Sequence, residues 1–150
     1  MKRERGFTLI EVVVVIAIVG ILSATAIPTY NIYRQRTYGS EAMIMMKQIL
    51  EAQITYYLAN DTFFPHNLGD TILISNNDPP NKQEITDVKN ALHIVIPVRH
   101  NLDFTITRGQ DGAGLDAVIV TIGSPAGAFP LFRDGSAFIT GLINKEGKIQ

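Results

Sequence analysis

The chain has 150 residues, 46% of them hydrophobic and 18% charged, with a formal net charge of −1 and no cysteine. That length suits one domain, the near-neutral charge supplies no basic field for nucleic acid, and the missing thiols exclude a disulfide framework and a Cys-x-x-Cys-His haem attachment.

The first element is a short basic leader, Lys2-Arg3-Glu4-Arg5-Gly6, running into an apolar stretch from Phe7 to Ile27 that only Thr8, Glu11, Gly20, Ser23 and Thr25 interrupt. At about 1.5 Å per helical residue this stretch covers about 30 Å, one bilayer core, and lipid obliges a single span to be helical. Lys2, Arg3 and Arg5 precede it, so the positive-inside tendency keeps the N-terminus cytoplasmic and sends the rest outward. Glu11 is the anomaly. A carboxylate at mid-span costs roughly 3 kcal/mol on insertion scales, less near a helix end where it can snorkel. Cleavage between Gly6 and Phe7 would create an α-amino cation one helical turn before Glu11; the plainer alternative is that Glu11 neutralises its own terminus or stays protonated. Two other readings of the segment are a secretory signal cut after Ala24-Thr25-Ala26, before Ile27, and a plain single-span anchor.

The run Gly6-Phe7-Thr8-Leu9-Ile10-Glu11, followed by the apolar stretch and Pro28, resembles the class III signal of type IV pilins, in particular a type IVa-like prepilin. The resemblance implies that residues 1–6 are a leader removed by prepilin peptidase between Gly6 and Phe7, that Phe7 is then N-methylated, and that Glu11 pairs with the Phe7 amine of a neighbouring subunit during assembly. Two charges about 4 Å apart are worth about 4 kcal/mol at an effective dielectric near 20, before desolvation is charged against them. Also implied are an inner-membrane precursor, a homo-oligomeric helical filament on the cell surface serving motility or adhesion, and a pilus assembly platform and minor pilins as partners. The alternatives are a minor pilin, a type II secretion pseudopilin, or a membrane-anchored periplasmic protein that never polymerises.

Residues 7–28 read as the hydrophobic transmembrane and filament-core part of a helix whose amphipathic half is 29–59. Pro28 removes an amide donor and crowds the carbonyl of Ala24, and with weak helix formers from Gly20 onward the stretch Gly20 to Pro28 is the expected place for a kink or local melting. After it, Tyr30, Tyr33, Tyr38, Ala42, Met45, Met46, Ile49, Gln53 and Tyr56 mark one face, and Met43, Leu50, Ile54 and Tyr57 a second strip. Two apolar strips predict a sheet on one side of the helix and neighbouring protomers on the other. Tyr30 and Tyr33 are predicted to pack along a helix seam or interfacial belt. A helix from Phe7 to about Ala59 would be about 80 Å long, so half of it is expected to protrude from its domain.

Asn60-Asp61 predicts the helix end. Residues 60–93, rich in Asn, Asp and Pro, read as a connecting loop region with a short helix at Glu84 to Leu92, and 94–150 as an antiparallel sheet. Alternation marks strands at Leu102 to Arg108, Ala117 to Ile122 and Ser136 to Ile143, with further candidates at Ile94-Val95-Ile96 and Pro130-Leu131-Phe132. The fold class is therefore α+β, a long N-terminal helix on about four antiparallel strands. No enzyme signature appears, and no cofactor is expected. His66, His93 and His100 lack metal-ligand spacing, and Asp111 and Asp116 fit a hairpin turn better than a calcium loop. Many pilins close their C-terminal loop with a disulfide; this chain must secure that region by packing and hydrogen bonds.

Overall fold

A computed structural model describes residues 6–99 and 101–150; the basic leader residues Lys2, Arg3 and Arg5 and the histidine at 100 lie outside them. Helix α1 runs Leu9–Asn60, strand β1 Thr71–Ile74, helix α2 Gln83–Leu92, β2 Asp103–Gln110, β3 Asp116–Gly123 and β4 Phe138–Asn144. The four strands pair antiparallel in the order β1-β2-β3-β4, the α+β arrangement expected. Compactness divides the chain into two units between Arg34 and Gln35.

Within the unit from Gln35 to Gln150, strand alternation decides which side of the sheet is buried. The register sets Ile72 beside Ile106, Phe104 beside Ile122, Ile106 beside Val120, and Val118 beside Ile143, and all of these are buried. The other face carries threonines, which hydrogen-bond across strands at Thr71–Thr107 (3.0 Å) and Thr121–Thr140 (3.2 Å). Helix α1 covers the apolar face with Ala42, Met45, Met46, Ile49 and Leu50. Its approach is close because Gly141 offers no side chain: a Cβ there would sit 2.8 Å from Met46 Sδ and 3.0 Å from Leu50 Cδ1.

The two helix strips do not separate as expected. Leu50 is buried and Ile54 and Tyr57 pack half-buried against the core, leaving Met43 of that strip exposed. The connecting region is also more ordered than its composition suggests, since it holds β1 as well as α2. Four residues, Thr-Ile-Leu-Ile, are too few for alternation to stand out, and β1 exists because its Ile72 and Ile74 match the core face of β2. It is an edge strand, and Lys82 covers that edge by donating from Nζ to Leu73 O at 2.7 Å and to Asp78 Oδ2 at 2.8 Å. The tracts Ile94–Ile96 and Pro130–Phe132 are not strands. Ile96 and Leu131 are buried from irregular backbone, and the amides of Leu131 and Phe132 turn back onto Ser136 O instead of a ladder.

Polar side chains hold what strands do not. Fully buried Gln53 donates to Phe64 O at 2.6 Å and accepts from Phe64 N at 3.1 Å, fixing the chain leaving α1. Asn144, also buried, accepts from the amides of Glu146 and Lys148 and donates to Asp111 Oδ2 at 2.9 Å. Asp111 Oδ1 in turn accepts from the amides of Ala113 and Leu115. This cluster ties the β2–β3 turn to the C-terminal segment, whose Gln150 pairs with Leu142 and whose Ile149 bridges Ile143. Asp116 is committed to Arg108 through a two-pronged pair at 3.0 and 2.8 Å. Both aspartates therefore tie the β2–β3 hairpin, the turn expected there.

Residues 124–137, between β3 and β4, lie against α1 at Gly39, where a Cβ would fall 2.3 Å from Leu131 O. Gln35 donates to Phe132 O, and Tyr38 packs on Phe129 and accepts from Asn101. Gly39→Ala should therefore cost about 1–3 kcal/mol by overpacking against backbone, whereas Gly112→Ala, facing open space, should stay within about 0.5 kcal/mol; denaturant unfolding of the full chain in detergent measures both. Bonds from the Asn144 side chain and the Leu115 amide lower the pKa of Asp111. A carboxyl lowered on folding stabilises above its unfolded pKa and loses that contribution as pH falls through the folded value. The unfolding midpoint should accordingly drop below about pH 4, with a shallower slope in Asp111→Asn than in the wild type.

Candidate functional site

The unit ending at Arg34 is helical from Leu9, two residues later than the apolar run begins, and every residue from Gly6 to Tyr33 is exposed. The exposed side chains include Phe7 (87%), Leu9, Ile10, the valines 12 to 15, Ile16, Ile18, Val19, Ile21, Leu22 and Ile27. Because these surround the whole helix, no single stripe can be turned away from water. By length and composition α1 can cross a membrane, and none of its most apolar stretch is buried.

At the start of this helix the structure brings Thr8 and Glu11 together. Thr8 donates from its backbone N and from Oγ1 to Glu11 Oε2, each at 3.0 Å, and Glu11 N donates to Thr8 Oγ1 at 3.3 Å. Val12 N, one of the first helical amides, reaches Thr8 O at 3.3 Å. This is a capping box, in which a Thr and a Glu three residues on satisfy each other's amides. The Thr-x-x-Glu spacing was the sequence signal for it, masked by the more conspicuous cost of a carboxylate in an apolar run. Glu11 Oε1 takes no part in these bonds. A carboxylate in the first turn also faces the positive end of the helix dipole.

Gly6 and Gly20 both have open space where a Cβ would be. The helix continues through Pro28 without interruption. Close to that proline, Thr25 Oγ1 donates to Leu22 O at 3.0 Å and Thr29 Oγ1 donates to Thr25 O at 2.9 Å, so two hydroxyls occupy carbonyls in the turns where the ladder loses a donor. Tyr30 and Tyr33 are both exposed. Of the histidines, His66 contacts the Tyr56 hydroxyl and His93 closes α2 in a left-handed conformation. Among the described residues no group of three or more His, Asp or Glu is arranged to hold a metal.

Residues 1–27 match the family described as the prokaryotic N-terminal methylation motif. The chain is 40% identical over 90 residues to a fimbrial protein of Neisseria meningitidis serogroup A, covering 59% of this chain and 52% of that protein. It is 47% identical over 64 residues to a type IV major pilin protein of Neisseria gonorrhoeae, covering 43% of this chain and 29% of that one. A type IV major pilin protein of Myxococcus xanthus is 41% identical over 69 residues, or 45% of this chain and 31% of its own length. The chain thus spans about half the length, or less, of these curated relatives. No solved structure matches it.

The capping geometry separates charge from hydrogen bonding at position 11. Gln serves in a capping box as Glu does, so Glu11→Gln should keep the amides of Thr8 and Val12 protected. Thr8→Ala and Glu11→Ala should each lose about 0.5–2 kcal/mol of protection there. Amide exchange of the full chain in micelles, followed by NMR, reads the difference.

Proposed function

We propose that this chain, a relative of the type IV pilins through its N-terminal segment, is a structural subunit of a type IV pilus and not an enzyme. It enters the inner membrane as a precursor through Phe7–Pro28, is cut after Gly6 by a prepilin peptidase, is methylated on the Phe7 amine, and polymerises through the apolar helix into a surface filament. One observation carries this reading: an apolar stretch exposed on all sides, helical from Leu9, opens at the Gly6-Phe7 junction and carries a carboxylate at position 11. A plain anchor needs the helix but neither the junction nor Glu11.

The capping box refines what Glu11 does. Its Oε2 is engaged by Thr8, while Oε1 takes no part in those bonds and keeps its lone pairs for an incoming cation. A neighbouring subunit's methylated amine can pair with Oε1 without uncapping the helix, so the apolar segment keeps its backbone bonds as it moves from lipid into a filament. The hydrogen-bonded cap also fixes the side chain in advance, which lowers the ordering entropy that the ion pair would otherwise cost.

Intact mass of the chain in filaments sheared from producing cells tests the reading, with a species starting at N-methylated Phe7 expected. Finding the chain confined to membranes, or uncut, would overturn it. Within the same assay Glu11→Gln should insert and be processed yet yield at least about tenfold fewer filaments; normal filament numbers from that variant would remove the ion pair from the proposal.

A further inference from the structure

Where the chain leaves α1 and passes β1 and α2, a shallow depression opens to solvent, lined by Tyr56, Phe64, His66, Asp70, Asp87 and Asn90. We propose that it is a carbohydrate site taking a neutral pyranose ring. One wall is aromatic: Tyr56, Phe64 and His66 contact one another edge-on, with centroids 5.9 Å apart for Tyr56–Phe64 and Tyr56–His66 and 6.4 Å for Phe64–His66. The lining also includes the polar residues Asp70, Asp87 and Asn90.

The wall is fixed before any ligand arrives. The Tyr56 hydroxyl meets His66 Nε2 at 2.9 Å, Gln53 grips the Phe64 backbone from both sides, and Arg108, itself paired with Asp116, donates to His66 O. Such restraint is what a shallow site needs, since little binding energy remains to order it. Each carboxylate has one oxygen already occupied: Asp70 Oδ2 accepts from Asn67 at 2.9 Å and Asp87 Oδ1 accepts from Gln83 at 2.7 Å. The second oxygen of each carboxylate takes no part in these bonds, and an Asn side-chain amide such as that of Asn90 can both donate and accept.

Those features select the ligand. No lysine or arginine lines the cleft, so phosphates and acidic sugars meet uncompensated carboxylates and are rejected. A quaternary ammonium ion is recognised by ring faces that enclose it, whereas here the rings form a single edge-linked wall. A neutral pyranose has the complementary pattern, an apolar C–H face for an aromatic ring and hydroxyls that donate to carboxylates and accept from amides. The site is independent of polymerisation and uses nothing of the N-terminal segment.

The test is saturation-transfer NMR on the full chain in sugar-free zwitterionic micelles, with methyl β-galactopyranoside, methyl α-mannopyranoside and methyl β-N-acetylglucosaminide as probes. N-acetylneuraminic acid and tetramethylammonium serve as charged comparators. At least one neutral glycoside should bind, in the millimolar range, and the Asp87→Ala/Asn90→Ala double variant should weaken it at least about fivefold while leaving the unfolding midpoint unchanged. Asp70→Ala, on a different element, should weaken it independently. Binding of none of the three neutral glycosides, binding that is indifferent to these variants, or transfer to a charged comparator in their place would overturn the proposal.

Discussion

The side chains between Phe7 and Ile27 that a water-soluble protein would bury are left uncovered by the chain that carries them, and each forgoes about 1.5–3 kcal/mol until lipid or another apolar surface surrounds it. The rest of the molecule is arranged so that it does not need them. Residues 35–150 have a core in which the part of α1 from Tyr38 onward, Phe63 and Phe64 of the connection to β1, and the four strands meet. A core that draws on none of the first segment's side chains fits the proposed subunit, in which that segment would pass from one apolar environment to another.

That independence rests on close backbone approach and on a few buried polar groups. Gly39 and Gly141 let α1 come within contact of the β3–β4 connection and of the sheet, so dispersion contacts replace what larger side chains would have prevented. Gln53 and Asn144 then secure the two places where the chain is irregular. Among the described residues no buried side-chain nitrogen or oxygen lacks a partner, so neither amide leaves an unmet group in the core, the condition under which buried polar networks specify a structure. In a chain without cysteine, the Asp111–Asn144 cluster performs the tethering of the C-terminal segment that a covalent bridge performs elsewhere. Its strength differs from a bridge in kind, because it depends on the ionisation of one carboxyl.

The legible parts of the sequence were those governed by long periodicity. Alternation located β2, β3 and β4 to within two residues of their bounds, and the spacing of apolar residues grouped Ala42, Met45, Met46 and Ile49 on one helix face, all four of them buried in the fold. Elements defined by partners rather than by pattern escaped. Strand β1 is four residues whose identity as a strand lies in the register with β2, and Leu50, Ile54 and Tyr57 are drawn toward the core because the connection after α1 folds back with Phe63 and Phe64. At the N-terminal segment the motif residues were conspicuous, yet the Thr8 to Glu11 cap was not separated from the cost of placing a carboxylate in an apolar run. Both facts are encoded by the same residue, and the larger energy obscured the smaller.

That overlap bears on why a carboxylate is tolerable at position 11 at all. Two protons from Thr8, one from its amide and one from its hydroxyl, converge on a single oxygen of Glu11, so part of the hydration that a carboxylate loses in apolar surroundings is replaced beside the first turn of the helix. The helix terminus contributes further, since the amides of its first turn present their positive ends to the carboxylate. The remaining oxygen is the part that a cation must satisfy. In the proposed subunit, a pre-capped and half-satisfied carboxylate would still gain from meeting a positive charge, and that residual need would give an otherwise direction-indifferent apolar helix packing a preferred axial position.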